Sequence, residues 1–449
     1  MTVSAKELVI WMNGSKVGIW RVSTHGADIL EYSDDWFATP VHSPLSQSLP
    51  LTLPGTSIRS ISVNNYFDNL LPDSIEIRKR VASRYQLHDA STFNLLSAIG
   101  RDCVGAIQLL PHGETPSGWD RIDAVEMSDK QVQEHLRNVT STSPLMTSDD
   151  VAAEDLRISI AGAQEKSGLL ELNGKWWMPR GATPTNRILK LPLGSIGGGQ
   201  IPLHDSIANE WLCSQILAGY GLPMAFCEMK YFAQTQALSV HRFDRQEVLT
   251  DADPVIYRLP QEDFCQALGL PPHIKYEAEG GPGFVAIATA LKRSLNAEQD
   301  IATLFEAQVL FWMLLGIDGH AKNFSIRLLP EGRFHLAPLY DVISMWPYAG
   351  HGAGKASLHK LKMAMSVMGE SGKHYVWSKI QRRHFEHMGK MVGIPDPAGI
   401  IDQVVARTPG VVRGVLAQLP ADFPETISQA ILSGLVESAL KLGRAPSST

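Results

Sequence analysis

Cysteine is scarce in this chain: Cys103, Cys213, Cys227 and Cys265 are the four among 449 residues. No two stand at a metal-ligating spacing, and four make a thin disulfide framework for such a length. Reduced, buried thiols are expected, which suits a cytoplasmic protein. Positive charge is not in excess either. Lys and Arg number 40 against 46 Asp and Glu, a formal charge of −6, which excludes a protein that coats nucleic acid by bulk charge and leaves room for a local basic patch. Long hydrophobic runs are missing: the longest, Val309–Ile317, is about half a bilayer-spanning helix. The opening MTVSAKELVIWMNG lacks the basic flank, apolar core and small-residue cleavage site of a signal peptide. No membrane association is expected. Solenoid-period repeats, low-complexity tracts and the Walker pattern G-x-x-x-x-G-K-[ST] are also absent.

What is present is the composition of a folded protein, 44% hydrophobic and 19% charged. The length predicts two or three lobes. Asn13-Gly14 lies between two short apolar runs and predicts a tight hairpin. A helix is expected after a cap at Asp73 or Ser74, then a smaller one in TFNLLSAIG, then a strand in DCVGAIQLLP. The polar stretch 138–150 reads as a boundary. Beyond it LRISI (156–160), GLLEL (168–172), KWWMP and RILKLP (187–192) are strand-like, a helix is expected over 204–219 from Asp205 or Ser206, and QALSVHRFDR is again strand-like. After about residue 258 helical patterns dominate, among them 298–317 and 424–442. The reading is an α+β, bilobed fold in three stretches. Residues 1–150 form a mixed α/β N-terminal lobe, 151–257 a β-rich nucleotide-binding part, and 258–449 a mainly α-helical lobe with the catalytic loop.

The strongest chemical signal is LLGIDGHAKNFSI, 314–326, where an apolar helix runs into Asp318 and Asn323 follows five residues later. That is the Asp-x-x-x-x-Asn spacing of protein-kinase catalytic loops. A carboxylate must meet the acceptor hydroxyl, and an amide oxygen one short loop away must help hold magnesium on the phosphates. A helix end followed by a turn is the plain alternative. Asp341, at the end of the apolar, strand-like HLAPLY, could supply a second metal ligand, since magnesium takes few protein carboxylates. A turn-initiating Asp would look the same. Upstream, Ser159-Ile-Ala-Gly-Ala-Gln-Glu-Lys166 joins two strand candidates, and the small Ala161, Gly162 and Ala163 would let backbone N–H groups approach phosphates. Lys190 is a lone charge on an apolar strand that needs a partner; nucleotide phosphates would serve, and Glu210 on the next helix is a second candidate. A glycine-containing loop, a strand lysine, a helix, then Asp, Asn and a late Asp come in the order that a kinase requires.

The chain resembles the HipA toxins, serine/threonine kinases of bacterial type II toxin–antitoxin modules. FDNLLPDS (67–74), IGRDCVGA (99–106), RISIAGAQEK (157–166), LKLP (189–192), RLPQEDFCQ (258–266), KYEAEGGPG (275–283) and DGHAKNFS (318–325) carry the resemblance, which runs to about Gly443. It implies a protein-kinase-like HipA fold, ATP and magnesium as cofactors, and Asp318 as catalytic base. Asn323 and Asp341 would hold the metal, and Lys190 would contact the phosphates. Ala161, Gly162, Ala163, Gln164, Glu165 and Lys166 would form the phosphate loop. His241, Arg242 and Phe243 match the linker that meets the adenine, mostly through backbone, although the family often has Glu where His241 stands. His320, Ala321, Lys322, Asn323, Tyr340 and Asp341 would complete the nucleotide shell.

Ser159 matches the family's autophosphorylated serine, whose modification expels the loop and switches the kinase off; a phosphate there would repel ATP phosphates. The family's targets are aminoacyl-tRNA synthetases, chiefly the glutamyl enzyme, so that translation stalls and the cell becomes dormant and persistent. Its antitoxin, HipB, is a helix-turn-helix dimer that holds the toxin on operator DNA. The basic stretch KIQRRHFEHMGK (379–390) could touch that DNA or be a solvated helix face, and Gly393 stands where a second basic residue is expected. Two other readings are a non-enzymatic corepressor of the antitoxin–DNA complex and a small-molecule or lipid kinase.

Overall fold

The structure, a computed structural model, describes residues 6–139, 164–196, 201–249, 254–352 and 354–443. The chain divides into two compact units, each assembled from separated stretches of sequence. Met1–Leu191, Lys230–His273 and Ile326–Phe334 make one; Pro192–Met229, Ile274–Ser325 and His335–Thr449 make the other. The expected boundary at 138–150 and the strand LRISI lie almost wholly outside the described residues.

The first unit contains a five-stranded sheet in the order Ser57–Arg59, Asp28–Tyr32, Ser15–Val22, Lys6–Met12, Ile107–Pro111. The expected hairpin forms at Asn13 and Gly14, both at positive φ (44° and 81°), as a two-residue turn that follows strand twist requires. Leu8, Ile10 and Met12 alternate into the core, where Trp20 stacks on Phe67 with ring centroids 4.0 Å apart. Helix Ile75–Arg84 starts where expected, the Ser74 hydroxyl accepting from the Ile77 N–H.

A second sheet runs Cys227–Phe232, Thr235–His241, Arg187–Lys190, Lys166–Leu172, Lys175–Pro179, Ala124–Met127. Helix Asp129–Val139 lays Val132 and Leu136 into a core with Leu169, Trp176, Leu189 and Phe232. On the same helix His135 is buried, its Nε2 2.7 Å from the Ser167 hydroxyl. Burial, with Arg84 nearby, pushes this imidazole down to about 4. Because the folded-state value lies below the unfolded one of about 6.5, the unfolded chain holds the extra proton between those values. The stabilisation is complete above about pH 6.5 and is lost as pH falls toward 4, by on the order of 3 kcal/mol at most. Urea midpoints are expected to fall between about pH 7.5 and 5 in the wild type and to fall less in His135→Gln. Equal falls would place the acid sensitivity elsewhere.

The second unit is mainly helical. Helix Ala297–Met313 is buried along most of its length and packs against Phe284–Leu291, Arg382–Val392, Pro397–Leu416 and Glu425–Gly443. Trp312 and Trp377 stack at 5.4 Å, and each indole N–H donates to the other's carbonyl, at 3.0 and 2.8 Å. The hairpin Lys362–Gly369 with Gly372–Val376 was not expected among these helices. Met363 through Val367 are all buried, so the strand shows no two-residue alternation and cannot be told from a helix by pattern.

Candidate active site

Each compact unit carries part of the residue set expected from sequence. In the second unit, helix Ala297–Met313 stops four residues earlier than the 298–317 pattern suggested. Leu315 adopts φ 54°, the Gly316 N–H donates to Phe311 O (2.7 Å) and the Leu315 N–H to Trp312 O (3.1 Å). That is a Schellman ending with leucine in the left-handed position glycine usually takes, a strained backbone held by burial. The chain then turns over the Phe311 ring. A Cβ on Gly319 would sit 2.4 Å from that ring, so only glycine lets the loop pass this close.

This ending delivers Asp318 with an exposed side chain. The Asn323 side-chain amide donates to the Asp318 carbonyl (2.8 Å), the His320 N–H donates to the same oxygen (2.8 Å), and the Asn323 N–H donates to His320 O (2.9 Å). Asn323 therefore spends its amide N–H on the loop and has its Oδ1 acceptor left for chemistry. His320, Ala321, Lys322 and Asn323 are buried, the last three in a 3₁₀ turn. The Tyr340 hydroxyl donates to Lys322 O (2.9 Å) and shares a 2.6 Å hydrogen bond with Ser325, which binds the later segment to the end of the loop.

Asp341 does not end a strand: Phe334–Leu336 is over five residues earlier, and Asp341 sits in a loop at φ 62°. Clamps on both sides hold it there. Leu339 bridges 223–225 through hydrogen bonds of 2.7 and 2.8 Å. The Asn209 side chain makes two 2.8 Å hydrogen bonds with the Ser344 backbone, and the Ser344 hydroxyl donates to Leu314 O at 2.6 Å. Asn209 has no local signature; its partner is 135 residues away, and sequence reasoning looked at Glu210 beside it instead.

In the first unit, Lys190 is 6% exposed and lies opposite Lys166 on one neighbouring strand and Leu238 on the other. Directly paired residues share a sheet face, so the two lysine side chains leave their strands on the same face. Of the expected phosphate loop, Ser159, Ala161, Gly162 and Ala163 lie outside the described residues. Its end is tethered: the Gln164 amide donates to Leu191 O, the Leu191 N–H donates to Glu165 O (3.1 Å), and the Glu165 carboxylate pairs with Arg80.

His241 ends its strand opposite Arg187; partial burial and that guanidinium push its pKa down. Phe243 is half-buried. Arg242 is turned inward. Its guanidinium meets Asp244 through two nitrogens (2.9 and 2.8 Å), Asp102 (3.3 Å), the Thr185 hydroxyl (2.9 Å) and Cys103 O (2.8 Å). The side chain is fully committed, and the backbone is engaged too: the Arg242 N–H donates to Asn186 O (3.0 Å) and its carbonyl accepts the Arg245 N–H (3.1 Å). It belongs to a buried cluster the sequence reading missed. Asp102 also receives Arg245 (2.8 Å), Arg258 (3.0 Å) and the Thr185 hydroxyl (2.7 Å), and the Gly105 N–H donates to Asp244 (2.7 Å). Burial alone would raise the Asp102 carboxyl, but Arg245, Arg258 and Arg242 pull it far below the usual carboxylate range. The signal was legible in part: IGRDCVGA, HRFDR and RLPQED each place charge inside apolar sequence, which is tolerable only when paired.

In the basic stretch 379–390, Arg382 is held by Glu386 and Asp402, each at 2.6 Å, so its charge is largely answered within its own unit. Gly393 is the left-handed C-cap of helix Arg382–Val392, at φ 97°, a position that favours glycine over any basic residue.

A helix-delivered aspartate, an asparagine whose amide is tied to that aspartate's carbonyl, and a later clamped aspartate match the residue pattern of a kinase-type phosphotransferase. Comparison with known proteins gives the particular family. The HipA-like C-terminal domain model matches residues 158–412 and the HipA N-terminal domain model residues 8–110. The chain belongs to the HipA family. It is 33% identical over 354 residues to Y4mE of Sinorhizobium fredii, named as a candidate kinase, covering 77% of this chain and 79% of that one. It is 26% identical over 363 residues to the serine/threonine-protein kinase toxin HipA of Shewanella oneidensis, covering 77% of each. The fold matches that of Shewanella oneidensis HipA, solved with HipB and its operator DNA, at a TM-score of 0.77 and 20% identity over 97% of both chains.

Proposed function

We propose that this chain is a toxin kinase that transfers the γ-phosphoryl group of ATP to a serine or threonine of a protein. The observation that supports the reading is the Asn323–Asp318 tie, which holds both residues in one short loop. Asp318 accepts the proton of the acceptor hydroxyl as the new P–O bond forms. Lys190, with Lys166 beside it, neutralises phosphate charge. The donor set suits magnesium, with Asn323 Oδ1 and Asp341 as hard oxygen ligands. Among the described residues no three His, Cys, Asp or Glu gather into a metal group, so most ligands would be phosphate oxygens and water, as magnesium prefers. When bound, the ion neutralises charge on the transferring group.

We further infer that the substrate is an aminoacyl-tRNA synthetase, the glutamyl enzyme first, so that phosphorylation arrests translation and promotes dormancy and persistence. Phosphorylation of Ser159 would shut the enzyme down. The antitoxin would be a HipB-type dimer, with operator DNA reached through it; the Shewanella relative was solved in such an assembly. Among the described residues no helix is long and apolar enough to cross a membrane, and a cytoplasmic location fits these partners.

The test is to incubate the purified protein with γ-labelled ATP and a bacterial extract. Label is expected on the chain itself, at Ser159, and on a synthetase. Label confined to small molecules or lipids would overturn the protein-kinase reading; label on an unrelated protein would overturn the substrate.

A further inference from the structure

The Tyr276 hydroxyl donates a 2.6 Å hydrogen bond to Oδ1 of Asp318. Neither the kinase spacing nor the roles argued above use this residue. We propose that Tyr276 is a positioning residue that holds the Asp318 carboxylate in one rotamer, so that its second oxygen is presented to the acceptor hydroxyl. The inference rests on Asp318 being the base.

Asp318 needs such help. Its side chain is exposed, and an exposed aspartate samples several rotamers, most of which would not meet an acceptor proton. A phenol fixed in space removes that freedom at one oxygen and leaves the other as acceptor.

Tyr276 is itself fixed by its surroundings. Its ring packs edge-on to the buried His320, centroids 5.1 Å apart at 82°, and His320 lies in the same loop as the aspartate. The Lys275 ammonium lies 5.5 Å from the ring centroid. The Tyr276 carbonyl accepts the N–H groups of Glu279 (3.0 Å) and Gly281 (2.9 Å), closing a tight turn. A Cβ on Gly281 would lie 2.5 Å from Ile274 O, and Gly280 sits at φ 97°, so the glycine pair is what allows the turn.

The next residue anchors the turn. The Glu277 carboxylate accepts the Ser366 N–H at 2.6 Å and pairs with Lys373 at 2.9 Å. A Cβ on Gly283 would lie 2.1 Å from that carboxylate carbon. The hairpin that holds Glu277 is also bound to the catalytic loop, the Ala364 N–H donating to Ile317 O at 3.0 Å, one residue before Asp318. Phenol and carboxylate are thus mounted on one frame. The unusual string KYEAEGGPG has a physical reason: Gly281 and Gly283 make room, Gly280 takes the positive φ, Glu277 anchors, and Tyr276 reaches the base.

The experiment compares wild type, Tyr276→Phe and Asp318→Asn in full-length protein, reading transfer from γ-labelled ATP to the chain itself and to casein. Phenylalanine keeps the ring on His320 and removes the hydroxyl. Tyr276→Phe is expected to lower kcat about tenfold to a hundredfold, with KM for ATP within about twofold of wild type and the thermal midpoint unchanged. Loss of kcat without loss of nucleotide affinity marks orientation of the base; a merely structural role would move both. The proposal is overturned if Tyr276→Phe keeps its kcat, if kcat rises, or if ATP affinity falls in step with rate. Asp318→Asn separates the two levels: near-normal transfer there sinks the assignment of the base, whereas a dead Asp318→Asn beside a normal Tyr276→Phe sinks this inference alone.

Discussion

Asp318→Asn will fold as the wild type does and transfer phosphate about 10²- to 10⁴-fold more slowly. Both halves of this expectation follow from the site. The side chain is exposed and its Oδ1 accepts the Tyr276 hydroxyl, a bond an asparagine oxygen can still accept. The hydrogen bonds that shape the loop go to the Asp318 main-chain carbonyl, which the substitution leaves in place. Stability should therefore stay within about 0.5 kcal/mol. Rate should not, because an amide cannot take a proton from the acceptor at neutral pH. Labelled-ATP transfer and a thermal melt on the same preparation check the two halves. Transfer within tenfold of wild type would remove Asp318 from the mechanism.

Asp102→Ala should do the opposite, striking the fold first. Asp102 receives Arg245, Arg258, Arg242 and Thr185 while buried at 5% exposure. Without it, Arg242 and Arg245 keep Asp244, while Arg258 loses the carboxylate it meets. Breaking a buried ion pair by removing one partner costs about 3–5 kcal/mol, a large part of a total stability of about 5–15 kcal/mol. A urea titration should show the first unit unfolding at a clearly lower midpoint. A change below about 1 kcal/mol would mean that the cluster is already relaxed by water. The cluster joins residues from four stretches of one unit, and Arg242 cannot both complete it and send its side chain to a nucleotide.

Legibility in the sequence followed the range of the interactions. The Asn13-Gly14 hairpin and the Ser74 cap were readable because their causes lie within four residues. The stop of the helix before Asp318 was misjudged, because Leu315 in a left-handed conformation has no sequence signal; burial and the Met345 N–H bond to its carbonyl hold it there. The flanking pattern of Asp341 suggests a strand end where the structure has a loop, since the clamps from Asn209 and Leu339 are long-range. The hairpin Lys362–Gly369 with Gly372–Val376 was invisible because a strand buried on both faces loses its alternation.

The chain's shortages retain their meaning. The four cysteines are all buried, as expected of thiols in a chain of this kind. By itself the sequence carried the family resemblance and the candidate reacting groups, because side-chain chemistry is written in residue type and short spacing. The tertiary structure alone decided which of those groups are held and by what. Arg242 went to a buried cluster, Asn323 to the Asp318 carbonyl, and Tyr276 to the Asp318 carboxylate. Desolvation and long-range hydrogen bonds set those outcomes, and both exist only once distant segments have packed.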